Sequence, residues 1–102
     1  MSRPLRVAEP AAAELAEAVR WYEAQRTGLG AEFLEAVAQV LDAVGESPGI
    51  GSPVVTVARG RLRRRAVTRF PYHAIYETKP SEIVVVAFAH AKRRPGYWQA
   101  RL

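Results

Sequence analysis

Apolar positions recur at helical spacing in the first half of the chain and at strand spacing in the second. Ala11, Leu15, Val19 and Tyr22 share one helical face, which predicts a helix over residues 11–26. Glu9-Pro10 opens it, because proline suits the first helical turn. Trp21 flanks the stripe on the Glu14–Ala18 side, and Trp21-Tyr22-Glu23 reads as a packing element. Thr27-Gly28-Leu29-Gly30 breaks the pattern. Phe33, Val37, Val40, Leu41 and Val44 then form the clearest amphipathic stripe in the chain and predict a second helix over 31–44, ended by Gly45 and Pro48. So short a break implies an antiparallel helical hairpin.

The remaining segments read as strands. Residues 3–8 predict a short first strand, which Pro4 confines to an edge or a strand start. Residues 49–53 read as a loop and 54–58 as a short extended piece. Residues 61–70, 72–78 and 82–90 predict three strands, joined at Phe70-Pro71 and Lys79-Pro80-Ser81. Ile83 to Phe88 is apolar on both faces, as expected of a central strand. The order β-α-α-β-β-β predicts a single α+β domain over residues 1–102, with the helical hairpin covering one face of a mostly antiparallel sheet.

Charge divides the chain in the same place. Residues 1–50 carry four arginines against eight acidic residues, a net −4. Residues 51–102 carry eleven lysines and arginines against two acidic residues, a net +9, which completes the total of +5. Such asymmetry points the second half at a polyanion or an acidic protein. With no cysteine, the chain has neither disulfides nor thiolate metal sites. The N-terminal residues lack the apolar core of a signal peptide, and no apolar run is long enough to span a membrane, so a cytoplasmic protein with no membrane contact is expected.

Two clusters carry candidate chemistry. On the first of the three strands, alternation places Arg61, Arg63, Arg65 and Arg69 on one face, and Leu62, Ala66, Thr68 and Phe70 on a core-facing side. Arg64 breaks this pattern, so it either snorkels at a sheet edge or pairs with a helix carboxylate. Guanidinium forks in a row suit phosphates or carboxylates. The competing reading pairs them with Glu14, Glu17, Glu32 and Glu35 of the same chain. The second cluster is His90, Lys92, Arg93, Arg94, Tyr97 and Trp98. Its aromatics either pack the tail onto the sheet or, with the cations, contact a target. His73 reads as a surface or edge histidine. Two distant histidines without an acidic cluster make no zinc site. The glycines at 45, 49 and 51 do not form a phosphate loop, and there is no GxSxG element. Neither a metal nor a cofactor is expected.

Trp21-Tyr22-Glu23, Gly28-Leu29-Gly30-Ala31-Glu32-Phe33, Arg69-Phe70-Pro71-Tyr72 and the stretch from His90 through Tyr97-Trp98 occur in an order and spacing that resembles the RelE/ParE toxin superfamily, in its ParE-like plasmid-stabilisation branch. The resemblance runs from about residue 5 to 101. It implies a type II toxin with an RNase-like fold and a ParD-like antitoxin partner bearing an acidic or helical C-terminal segment. ParE-like members inhibit DNA gyrase and are not known as enzymes. RelE-like members are metal-independent endonucleases that cut ribosome-bound mRNA. If this chain were of the second kind, His90, Arg93 and Tyr97 would be its catalytic candidates. Otherwise Arg61, Arg63, Arg65, Arg69, Lys92, Arg93, Arg94 and Trp98 would be target or nucleic-acid contacts. The Arg-Pro-Gly-Tyr-Trp tail resembles the ParE-like form, and the cation set of RelE-type nucleases is not matched, which favours gyrase inhibition. A third alternative is a decayed, non-toxic protein that still binds antitoxin.

Overall fold

The computed structural model describes residues 3–54 and 62–102. Strand β1 (Leu5–Val7) leads into helix α1 (Glu9–Gln25) and helix α2 (Leu29–Glu46). A 3-10 turn (Pro48–Ile50) precedes β2 (Ser52–Pro53), and then come β3 (Leu62–Ala66), β4 (Tyr72–Thr78) and β5 (Ile83–His90). A second 3-10 turn (Tyr97–Arg101) closes the chain. The strands form one sheet in the order β1-β5-β4-β3-β2, antiparallel except for the β1–β5 pair. This is the α+β architecture that the pattern predicts, with a two-residue strand at one edge. That strand and the 3-10 turn before it replace the expected loop over 49–53. Most of the expected extended piece at 54–58 lies outside the described residues, as does Arg61.

The helical hairpin is fixed by its glycines and by Glu23. Gly28 adopts φ +92°, a left-handed conformation that side-chain-bearing residues rarely take. Both oxygens of Glu23 accept from the Gly28 N–H, and one also accepts from the Gly30 N–H, so two otherwise orphan donors at the start of α2 are satisfied. At Gly30 the two helices approach so closely that a Cβ would stand 2.8 Å from the Val19 carbonyl oxygen. Glu23 is therefore structural, as expected of its motif. Trp21 only flanks the core: the residue is 59% exposed and meets the Tyr22 ring edge-on, whereas Tyr22 is buried among Phe33, Phe70 and Tyr72. The cause is phase, since Tyr22 takes the core-facing position and the next residue back must turn outward.

Both faces of the sheet are covered. The hairpin packs Phe33, Val37, Val44 and Ala11 against Ala74, Tyr76, Val85 and Phe88. On the other face, Trp98 packs against Leu62, Ile75, Val84, Val86 and Ala87. A bulge changes phase within β5: Ile75 pairs with Ala87 and Tyr76 with Val85, leaving Val86 without an opposite residue. Ile83 to Phe88 are all buried, as expected of a strand covered on both sides.

The expected alternation on β3 holds for Leu62, which is buried, and for Arg63 and Arg65, which share the opposite face, but the arginine face is not purely solvent. Leu62 lies on the tail side with Ile75, and Arg64 shares that face because it pairs with Ile75 across the ladder. Arg63 and Arg65 pair with Tyr76 and Ala74, on the hairpin side. Ala66 is exposed, Val67 is buried, and Thr68 and Phe70 belong to the turn after the strand. The expectation took one face for solvent, whereas each face of this strand is half covered.

Tyr76 ties the sheet to the segment after α2. Its fully buried hydroxyl donates to the Pro48 carbonyl at 2.6 Å and accepts from the Gly51 N–H at 2.9 Å. Tyr76→Phe should destabilise the protein by about 1–3 kcal/mol, because the Gly51 donor loses its partner. Urea denaturation checks this. Unchanged stability would show that water replaces the hydroxyl.

Candidate functional site

The site is built where β5 outruns its neighbour. β1 pairs with β5 only from Ile83 to Val85, and the chain then leaves the sheet to begin α1. Beyond that point one edge of β5 has no strand beside it. Side chains take the strand's place. The Glu14 carboxylate accepts from the Phe88 N–H at 3.1 Å, and Arg101 donates to the Val86 carbonyl at 3.1 Å. Arg101 also forks onto both oxygens of Glu14, at 2.9 and 3.1 Å. The Tyr97 hydroxyl donates to the same carboxylate at 2.5 Å. Burial by itself would raise the Glu14 carboxyl, but hydrogen bonds from Arg101, Tyr97 and Phe88 outweigh it and hold the group below its ordinary value.

These bonds fix the tail. The Tyr97 ring carries the Arg93 guanidinium at 4.0 Å and the Arg101 guanidinium at 5.2 Å from its centre. Gly96, at φ +80°, makes the turn that seats Trp98, which is 4% exposed. Burial and the donated hydrogen bond to Glu14 push the Tyr97 phenol well above its ordinary range. His90 stands at the end of β5, where its Nδ1 accepts from the Lys92 N–H at 3.0 Å and its ring meets Tyr72 edge-on at 5.0 Å.

Between tail and sheet lies a cavity of about 290 Å³. Ile75, Ala89 and Trp98 line its apolar part, and Arg64, His73, His90, Arg93 and Arg94 its polar part, with no acidic residue among the described ones. Burial and the nearby Arg64 lower the His73 pKa, so that ring is neutral at neutral pH.

The structure brings His90, Arg93, Arg94 and Tyr97 together around this cavity. Lys92 is exposed on the same turn. Trp98 lines the cavity but is otherwise buried packing. The β3 arginines are dispersed. Arg63 donates to the Gly51 carbonyl and Arg65 to that of Ile50. Arg69, at φ +76°, pairs with Glu32, which also holds Arg26. Glu14 and Arg101 carry no mark of a functional pair in the sequence, and Arg64, which breaks the strand alternation, lines the cavity. No sequence signal joins residues 14 and 101, because their contact depends on where β1 ends. Among the described residues no cluster of three or more potential metal ligands occurs.

This arrangement, a helical hairpin on one sheet face and a basic aromatic tail folded onto the other, defines a small two-layer protein with a cationic cleft. The sequence matches the family described as the ParE toxin of the type II toxin–antitoxin system parDE over residues 5–95, and the chain belongs to that family. A chain from a solved structure described as the chromosomal ParDE TA system from P. aeruginosa is similar in fold, with a TM-score of 0.75 at 15% identity, over 89% of this chain and 98% of that one. No curated protein matches.

Glu14→Gln should lower stability by about 1–3 kcal/mol at pH 7, since it removes the charge that receives Arg101. The sign with pH follows from the lowered carboxyl. Its contribution is complete above the ordinary value of 4.5 and disappears as pH falls through the lower folded value. The gap between wild type and variant should therefore close in acid. Denaturation curves at pH 7 and pH 3 measure it, and a gap equal at both would remove the charge from the explanation.

Proposed function

We propose that this ParE-type toxin inhibits DNA gyrase, that it does so by contact rather than by cutting RNA, and that an antitoxin with an acidic helical segment neutralises it. Family membership supplies the type II toxin class. The observation that carries the rest is the disposition of Tyr97. RNA cleavage needs a group that accepts the 2′-hydroxyl proton and returns one to the leaving oxygen. The Tyr97 hydroxyl is committed as a donor to Glu14, and two guanidiniums pack against its ring. His90 has one ring nitrogen occupied by the backbone. In this reading Lys92, Arg93 and Arg94 are exposed contacts, and Tyr97 is the platform on which Arg93 rests.

The reading requires a cytoplasmic protein, where gyrase works. A cationic surface also favours an acidic partner, and screening by salt weakens such association.

Inducible expression without antitoxin, with total RNA and plasmid topology taken from the same cells, tests the proposal. The expected result is linearised plasmid with intact mRNA, and Arg93→Ala should reduce the linear fraction while leaving the fold unchanged. Fragmented mRNA with intact plasmid would overturn the reading and return His90, Arg93 and Tyr97 to catalysis. Unchanged growth would mean that the protein is not toxic.

A further inference from the structure

A second cleft, of about 200 Å³, opens on the other side of the β5 edge; it shares His90 and Arg93 with the first, whereas Glu17, Trp21 and Tyr72 line it alone. Its helical wall is a stripe of α1: Glu14, Glu17, Ala18 and Trp21 stand at i, i+3, i+4 and i+7 and so share one face. Tyr72, Phe88 and His90 supply the sheet wall, and Arg93 stands at the rim. Trp21 is the most exposed large hydrophobic side chain among the described residues. An exposed indole at a cleft mouth marks a place where a partner can dock.

The polar groups define what fits. Glu14 is already committed to Arg101, Tyr97 and the β5 backbone. Glu17 forms no ion pair or side-chain hydrogen bond among the described residues and is exposed. Burial raises the Tyr72 pKa, and the Glu17 and Glu14 carboxylates nearby add to it. Arg93 is a cation, but its guanidinium rests on the Tyr97 ring. A planar cation is complementary to aromatic faces beside a carboxylate, and a guanidinium both stacks on an indole and bridges a carboxylate with its fork of donors.

We propose that the cleft between Trp21 and Tyr72 is a docking site for an arginine side chain presented by a partner protein, with the guanidinium on the Trp21 ring and its donors on Glu17. The proposal is independent of gyrase and of nuclease activity.

Titration of the isotope-labelled protein with Nα-acetyl-arginine N-methylamide tests it, followed by NMR at the Trp21 indole N–H and the Tyr72 ring. The uncharged isostere, Nα-acetyl-citrulline N-methylamide, is the control. A saturable shift with the arginine probe and none with citrulline is expected. Glu17→Gln, an exposed substitution that leaves the fold intact, should weaken binding by roughly two- to fivefold. Arg93→Ala should tighten it, because the competing cation is removed. Equal shifts with both probes, or none with either, would overturn the proposal. So would weaker binding by Arg93→Ala. Concentration-dependent shifts at Trp21 without any probe would assign the cleft to a second copy of this chain instead.

Discussion

The structure depends on a carboxylate placed at the end of a short strand. A sheet edge left bare exposes backbone donors and acceptors, which are costly to bury and hazardous to expose. β1 is three residues long, so β5 continues past it with one side open. Glu14 and Arg101 together supply an acceptor and a donor at the spacing of a missing strand. Because both also bind one another, the repair joins α1, β5 and the C-terminal turn in one network. The tail can then lie across the sheet, with Trp98 inserted beneath it and Arg93 held above Tyr97.

A second constraint comes from a sheet covered on both faces. Neither layer alone encloses the sheet: the hairpin covers one side, and the tail with Trp98 covers part of the other. The bulge at Val86 lets β5 serve both, since Val86 and Ala87 join the tail-side cluster while Val85 and Phe88 stay with the hairpin. The same phase change sets which backbone groups reach Glu14 and Arg101.

Much of this was legible in the chain. The stripe from Phe33 to Val44, the glycines at 28 and 30, and the all-apolar run from Ile83 to Phe88 each have a local signature, and together they predict the fold. The site was legible only in part. His90, Arg93 and Tyr97 are close in sequence and stay close in space. Alternation misled on β3, because an edge-proximal strand with partial cover on both faces has no single polar side. Arg63 and Arg65 turn to backbone carbonyls of the preceding loop, and Arg69 turns to Glu32, so the row of arginines is not a row in space. Glu14 was legible as a possible partner for an arginine, but not which one, since what it binds is more than seventy residues away.

The topology also bears on how the toxin is made. The first strand pairs in parallel with the last, and residue 14 is secured by residue 101. Such contacts of high sequence separation form late and slow folding. During synthesis the helical hairpin emerges first and can assemble locally, but it has no sheet to cover until β5 follows. The network that positions the cationic tail joins residue 14 to residue 101, so it closes only once both are available. Until then neither the repaired β5 edge nor the seated tail exists, so the cationic cleft between them assembles late in folding.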